Sequence, residues 1–153
     1  MGVNVFRDNG STGRVKAMPR DEQGIDGVER TYAVAHATLT AKTTYRINFD
    51  EYGPLTAAIS GNTSRVFRVV VAEAATATGG IASLIVGGYV SSMVTPSLSV
   101  SVGHALSLSG GTITDDAADY GSLASQFAVC TTATTSIATC SVFLPNKYLT
   151  ASG

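Results

Sequence analysis

The side chains able to attack, transfer a proton or hold a metal are few, and each can be weighed by its neighbours. A catalytic imidazole requires a carboxylate to orient it and a nucleophile to serve. Neither stands in a recognisable pattern beside His36 or His104. His36 lies in an alternating run with Ala35, Ala37 and Thr38, and His104 falls in the apolar register of another run, between Val102 and Leu106. Both read as structural histidines, satisfied by backbone groups as buried polar atoms usually are; a buried imidazole is also a pH-sensitive point. Asp115, Asp116 and Asp119 crowd together but lack the Asp-x-Asp-x-Asp-Gly frame and later Glu of a calcium loop. Asp115 instead suits the cap of one helical turn over residues 114–120, closed by Gly121. Glu73, set in an apolar run with no carboxylate partner in view, reads as a strand end rather than an acid or base. The glycine pairs at 79–80, 87–88 and 110–111 have no Lys-Ser/Thr after them and are not phosphate loops. The expectation is a protein that is not an enzyme and uses no metal or cofactor.

Cys130 and Cys140 can be tested by geometry. If strands over 126–132 and 137–144 turn symmetrically about Thr135, Cys130 faces Cys140, and Phe127 faces Phe143 on the other side. A one-residue change in the turn destroys both pairings. The spacing permits a cross-strand disulfide, while a reducing cytoplasm favours two free, buried thiols. Two cysteines without a paired histidine do not make a zinc site.

The elements that would position these groups are strands. Residues 97–109, Ser-Leu-Ser-Val-Ser-Val-Gly-His-Ala-Leu-Ser-Leu-Ser, alternate without interruption. The even positions are apolar apart from His104, and the odd ones are Ser, Gly or Ala. Such a period of 2 predicts one long strand with a buried face, bulged or bent at Gly103. The other face carries hydroxyls and small groups with no charge to guard it, which suits close approach by another sheet or subunit. Ser99, Ser101, Gly103 and Ala105 are the expected contact residues of such an assembly. Earlier runs over 31–39, 43–49, 55–59 and 65–74 are rich in β-branched and aromatic residues and separated by Gly, Pro and Asp. The run Val69-Val70-Val71 is apolar on both parities, as is 81–86, which predicts strands covered on both sides. Gly87-Gly88 is expected to bend 81–86 into a separate run over 89–94. The sum is an all-β protein, a single antiparallel β-sandwich or barrel-like body.

Charge divides the chain more sharply than any linker. Residues 1–30 hold 10 of the 21 charged side chains, with five glycines and no sustained period. They read as an extended N-terminal arm ahead of a body over 31–153, with Phe6, Arg7, Arg14, Lys16 and Arg20 its expected contact residues. Removing the arm is expected to leave the body folded. A net charge of −1 argues against nucleic-acid or membrane-surface partners. The most apolar window, 81–90, is about half the length a bilayer requires. The opening residues lack the pattern of a secretory leader, so synthesis in a cytoplasm is expected. Asn62-Thr63-Ser64 would accept a glycan only in a secreted chain.

From about Ala33 onward the sequence resembles the small capsid decoration, or cement, proteins of tailed bacteriophages. The residues that carry this are Val71-Ala72-Glu73-Ala74 with the Gly79-Gly80 gap, Gly87-Gly88-Tyr89-Val90, Val94-Thr95-Pro96-Ser97 and Gly103-His104-Ala105-Leu106. Gly110-Gly111-Thr112-Ile113 and Phe127-Ala128-Val129 continue the series. The resemblance implies a β-rich homotrimer made in the bacterial host and seated on the outer surface of a phage head, with the major capsid protein as its partner. It says nothing of the first 30 residues. The alternative is a head-fibre, tail-fibre or spike module that binds a host surface glycan. Exposed aromatic clusters would mark that class, and the six tyrosines are scattered along the sequence.

Overall fold

A computed structural model describes residues 21–50, 53–58, 66–109, 112–116, 125–146 and 148–150. All its regular elements are strands: β1 (Glu22–Gln23), β2 (Glu29–Ala35), β3 (Thr44–Asp50), β4 (Gly53–Ala58), β5 (Val66–Ala72) and β6 (Ile81–Val100). They are followed by β7 (Ala105–Ser109), β8 (Thr112–Asp116), β9 (Gln126–Cys130), β10 (Thr134–Pro145) and β11 (Tyr148–Thr150). The body is all-β, as expected.

The pairings explain why two apolar registers run through β5 and β6. Antiparallel ladders join β4 to β3, β3 to β5 and β5 to β6, while β2 pairs with β6 antiparallel and with β4 in parallel. These five strands therefore close on themselves as a small barrel. Its interior holds Ala33 and Ala35 of β2, Ile47 of β3, Val70 and Ala72 of β5, and Ala82, Leu84 and Val86 of β6, with Leu39 among them. The opposite register of β5, Val69 and Val71, joins a second core with Ile85, Val90 and Met93 of β6. That core is completed by Leu106, Phe127, Val142 and Leu144 from a sheet running β6–β10–β9–β7–β8. Burial on both faces of β5 and of the first part of β6 is thus borne out.

Several boundaries differ from expectation. The stretch 97–109 is not one strand. It breaks at Ser101, Val102, Gly103 and His104, where the His104 amide donates to the Ser101 carbonyl (3.2 Å) and Gly103 takes φ 86°. A positive φ at the third position of a turn is the glycine requirement of a type II geometry. Val102 consequently leaves the buried register and is 61% exposed at the turn. The long strand lies just upstream: β6 runs 20 residues, straight through Gly87-Gly88. Gly88 has φ 95°, and a Cβ there would sit 2.8 Å from the Gly27 carbonyl oxygen. The glycine changes the pleat without ending the strand. The expected helical turn is also replaced, since Thr112–Asp116 is strand β8; Asp119 lies outside the described residues.

The partners across the hairpin are shifted by two residues along β10, which moves its centre from 135 to 136. Cys130 faces Val142 and Val129 faces Phe143, so neither Cys130/Cys140 nor Phe127/Phe143 are direct partners. The other edge of β10 pairs with β6 from Thr134↔Val100 to Pro145↔Gly87, so β10 lies between β9 and β6. Both thiols are free and buried. Cys130 Sγ donates to the Thr132 carbonyl at 3.0 Å. Burial first, and the neighbouring Cys130 second, push the Cys140 thiol up to about 12.

The expectation that the body starts at residue 31 is revised. Residues 21–30 belong to the body: Glu22 and Gln23 pair with Arg30 and Glu29, and Glu29 already pairs with Gly87. Residues 1–20 lie outside the described residues.

Candidate functional site

Four features could carry function: two ion-pair clusters, one histidine–carboxylate pair and one exposed aromatic face. The first cluster closes an end of the barrel. Arg68 on β5 is buried, and its guanidinium meets the Asp21 carboxylate fork to fork, Nη1–Oδ1 2.9 Å and Nη2–Oδ2 2.8 Å. A buried guanidinium requires such a partner, since an isolated charge in the core is strongly disfavoured. Asn146, at φ 54° after β10, donates through Nδ2 to Asp21 (3.1 Å) and also to Glu29 Oε2. Burial raises the Asp21 carboxyl, but the hydrogen bonds from Arg68 and Asn146 outweigh it and hold the group below its ordinary value.

The second cluster ties the turn before β2 to the end of β5. Arg30 donates to Glu73 through Nε (3.0 Å to Oε2) and Nη2 (3.0 Å to Oε1), and its Nη2 also meets Asp26 at 2.8 Å. Ser83 Oγ donates to Glu73 at 2.8 Å. Arg30, and then Ser83, hold Glu73 low against the opposing effect of burial. Asp26 is lowered to about 2 by Arg30 and by the Val28 amide. Glu73 does end its strand, as expected, but its carboxylate is an anchor for Arg30. These groups are turned toward one another, which is the arrangement of a clamp.

Neither histidine is a core residue. His36 follows the end of β2 and is exposed. His104 stands half-buried at the β6–β7 turn with Nδ1 3.1 Å from Asp115 Oδ1. The turn lifts His104 out of the apolar register in which the sequence places it. Asp116 accepts from Gln126 Nε2 at 2.9 Å. Among the described residues, no three His, Cys, Asp or Glu side chains group as metal ligands.

The expected contact residues separate. Ser99, Ser101 and Gly103 are exposed where β6 ends and turns. Ala105 is fully buried, because β7 restarts the pleat after the turn; it is withdrawn from the surface set. Phe6, Arg7, Arg14, Lys16 and Arg20 lie outside the described residues. Sequence reasoning missed the aromatic face. Tyr89 on β6 and Phe143 on β10 are direct cross-strand partners, 55% and 48% exposed, although they are 54 positions apart in the chain. The signal was available only once the register was known.

No family model matches the chain, and no curated protein matches it. Among solved structures, it is similar to the crystal structure of the head fiber gp8.5 N base in bacteriophage phi29, at 12% identity and a TM-score of 0.49, over 78% of this chain and 96% of that one.

Proposed function

We propose that this protein is a structural component of a phage virion, a decoration protein that binds the outer surface of the head as a homotrimer. The observation that supports the reading is where the resembling segments fall. Residues 71–74 end β5, which pairs with β6; residues 87–90 and 94–97 are both in β6, 103–106 turn into β7, 112–113 open β8 and 127–129 lie in β9. With β10 these strands form one continuous half of the sheet. Segments scattered over the sequence are thus neighbours in space, as they must be if together they specify one body. The hydroxyl and glycine residues Ser99, Ser101 and Gly103 cluster at one end of it, exposed and uncharged. Such a surface suits packing against a flat partner, because no buried charge has to be matched. The barrel and its clamps supply a stiff base, and the segment ahead of Asp21 supplies Phe6, Arg7, Arg14, Lys16 and Arg20 for shell contact.

The test is co-sedimentation with undecorated heads followed by electron microscopy, with sedimentation equilibrium of the free protein. The reading expects saturable binding at regular positions on the outer surface and a trimeric mass. A protein that leaves heads undecorated would overturn it.

A further inference from the structure

The two cysteines stand closer than their backbone pairing suggests. Cys130 faces Val142 and Val129 faces Phe143, and the Thr131 amide donates to the Ser141 carbonyl at 2.9 Å, so the same register runs on past the end of β9. One step further it sets Thr132 opposite Cys140. The Cys130 thiol leans that way, donating to the Thr132 carbonyl at 3.0 Å. Val142, across from Cys130, has the same parity as Cys140, so both thiols point into one core. Burial first, and then Cys130 through its charge and a hydrogen bond between the two side chains, raise the Cys140 thiol. The sulfurs are therefore in contact, although their backbones are diagonal neighbours.

The backbone of Cys130 also carries the exposed turn between β6 and β7. Its carbonyl accepts from the Gly103 amide and its amide donates to the His104 carbonyl, both at 2.8 Å. Diagonal neighbours in an antiparallel pair are typically about 7–8 Å apart at Cα, whereas a disulfide takes about 4.4–6.8 Å. A bond between the two sulfurs must draw the end of β9 toward β10, and the turn is fastened to the residue that moves. Beyond Cys130, residues Thr131, Thr132 and Ala133 are exposed, so the end of β9 can open to a small reagent while the core stays folded.

We propose that Cys130 and Cys140 form a reversible redox link that resets the turn over residues 101–104. The co-reactant is a low-molecular-weight disulfide. Cys130, at the strand end, gives up its proton, and its thiolate attacks one sulfur of that disulfide. The small S–S bond breaks, and the first small thiol leaves with a proton. Cys140 then attacks the Cys130 sulfur of the mixed disulfide, its proton goes to the second departing thiol, and the Cys130–Cys140 bond is closed. Two protein thiols are oxidised, and one small disulfide is reduced to two thiols. A link that costs strand movement is readily reduced again, which suits a switch more than a permanent staple. The device rests on β9, β10 and the turn alone, whatever the turn contacts.

The full chain is incubated with oxidised glutathione, in buffer and again in urea below the unfolding transition, so that access to the thiols does not limit the reaction. Both thiols should disappear together, with a mass lower by two hydrogens and positions 130 and 140 joined within one chain at every protein concentration. Glutathione adducts alone, links between chains, or thiols that stay free in both media would overturn the proposal. Amide spectra of the linked protein are then compared with those of the reduced one. The Gly103 and His104 resonances should shift, and return on reduction with dithiothreitol, while Ala33 and Val70 inside the barrel keep their positions. Linked protein in which Gly103 and His104 stay in place would overturn the proposal as well, as would shifts of equal size throughout the barrel.

Discussion

Asp21→Asn is the most informative single change, because it removes one charge and almost no volume. In the native protein the Arg68 side chain is only 8% exposed and its charge is met fork to fork by Asp21, itself 29% exposed. Breaking a buried pair by neutralising one partner costs about 3–5 kcal/mol, because the remaining charge is left in a poorly solvated site. Asp21 keeps some contact with water, which permits partial rehydration of the guanidinium and lowers the figure to about 2–3 kcal/mol. For a chain of this size, that corresponds to a fall in Tm of about 4–12 °C. The assay is urea unfolding followed by far-ultraviolet circular dichroism, with the midpoint shifted and the slope preserved. Arg68→Met in the same background should return part of the loss, since no unpaired charge then remains; the double-mutant cycle isolates the coupling. A loss below about 0.5 kcal/mol, the range of ordinary surface changes, or strict additivity in the cycle, would refute the role of this pair. The same geometry revises the expectation for truncation. Removal of 1–20 spares the clamp, whereas removal of 1–30 takes away β1, the start of β2 and the partner of Arg68, and should destabilise the barrel.

Gly88→Ala should destabilise by more than the ~1 kcal/mol typical of helix or strand glycines, because a positive φ and a 2.8 Å approach to the Gly27 carbonyl coincide; a midpoint equal to the parent's would contradict the described path of β6. Acid titration should reveal the clamps. Asp21, Asp26 and Glu73 are all held below their ordinary values, so their stabilisation is complete above about pH 4–4.5 and is lost as pH falls through the lowered values, toward about 2 for Asp26. Stability flat from pH 5 to 2 would speak against them. Thiol reagent should find two free groups in denatured, unreduced protein and label the native protein very slowly, since both are buried and the Cys140 thiol is pushed to about 12; fast native labelling would place the cysteines elsewhere. On the proposal of a homotrimer, Ser101→Lys should leave the monomer's stability within about 0.5 kcal/mol, as exposed substitutions do, yet weaken self-association measured by sedimentation; unaltered self-association would remove this turn from the proposed interface.

What was legible in the sequence follows from how each feature is encoded. Burial on both sides of β5 could be read, because Val69, Val70 and Val71 leave no polar register for solvent. The turn at 101–104 could not. Four residues are consumed there, an even number, so the alternation passes through the turn without a missed beat and two strands look like one. The reverse error arose at Gly87-Gly88, where a glycine pair reads as a break although the ladder with β10 continues through Gly88↔Leu144 and Gly87↔Pro145. The clamps had one visible half: an arginine, Arg68, set in an otherwise apolar strand. Its partner lies 47 positions away, and no local pattern links the two. The Tyr89–Phe143 face was illegible for the same reason, since register is a property of pairing and not of either strand alone.

The uneven spread of charge along the chain is resolved by the fold. As sequence, residues 21–30 look like the tail of a polar arm leading into a body nearly empty of charge. In space they bring Asp21 to Arg68, and Arg30, itself held by Asp26, to Glu73. Both partners belong to the β5 region, which is otherwise apolar on both faces and common to the two cores. A strand of that kind cannot lose water from both sides and also keep an unpaired charge. The charged stretch at the start of the body therefore supplies the partners that let β5 be buried, and it stabilises the closed barrel.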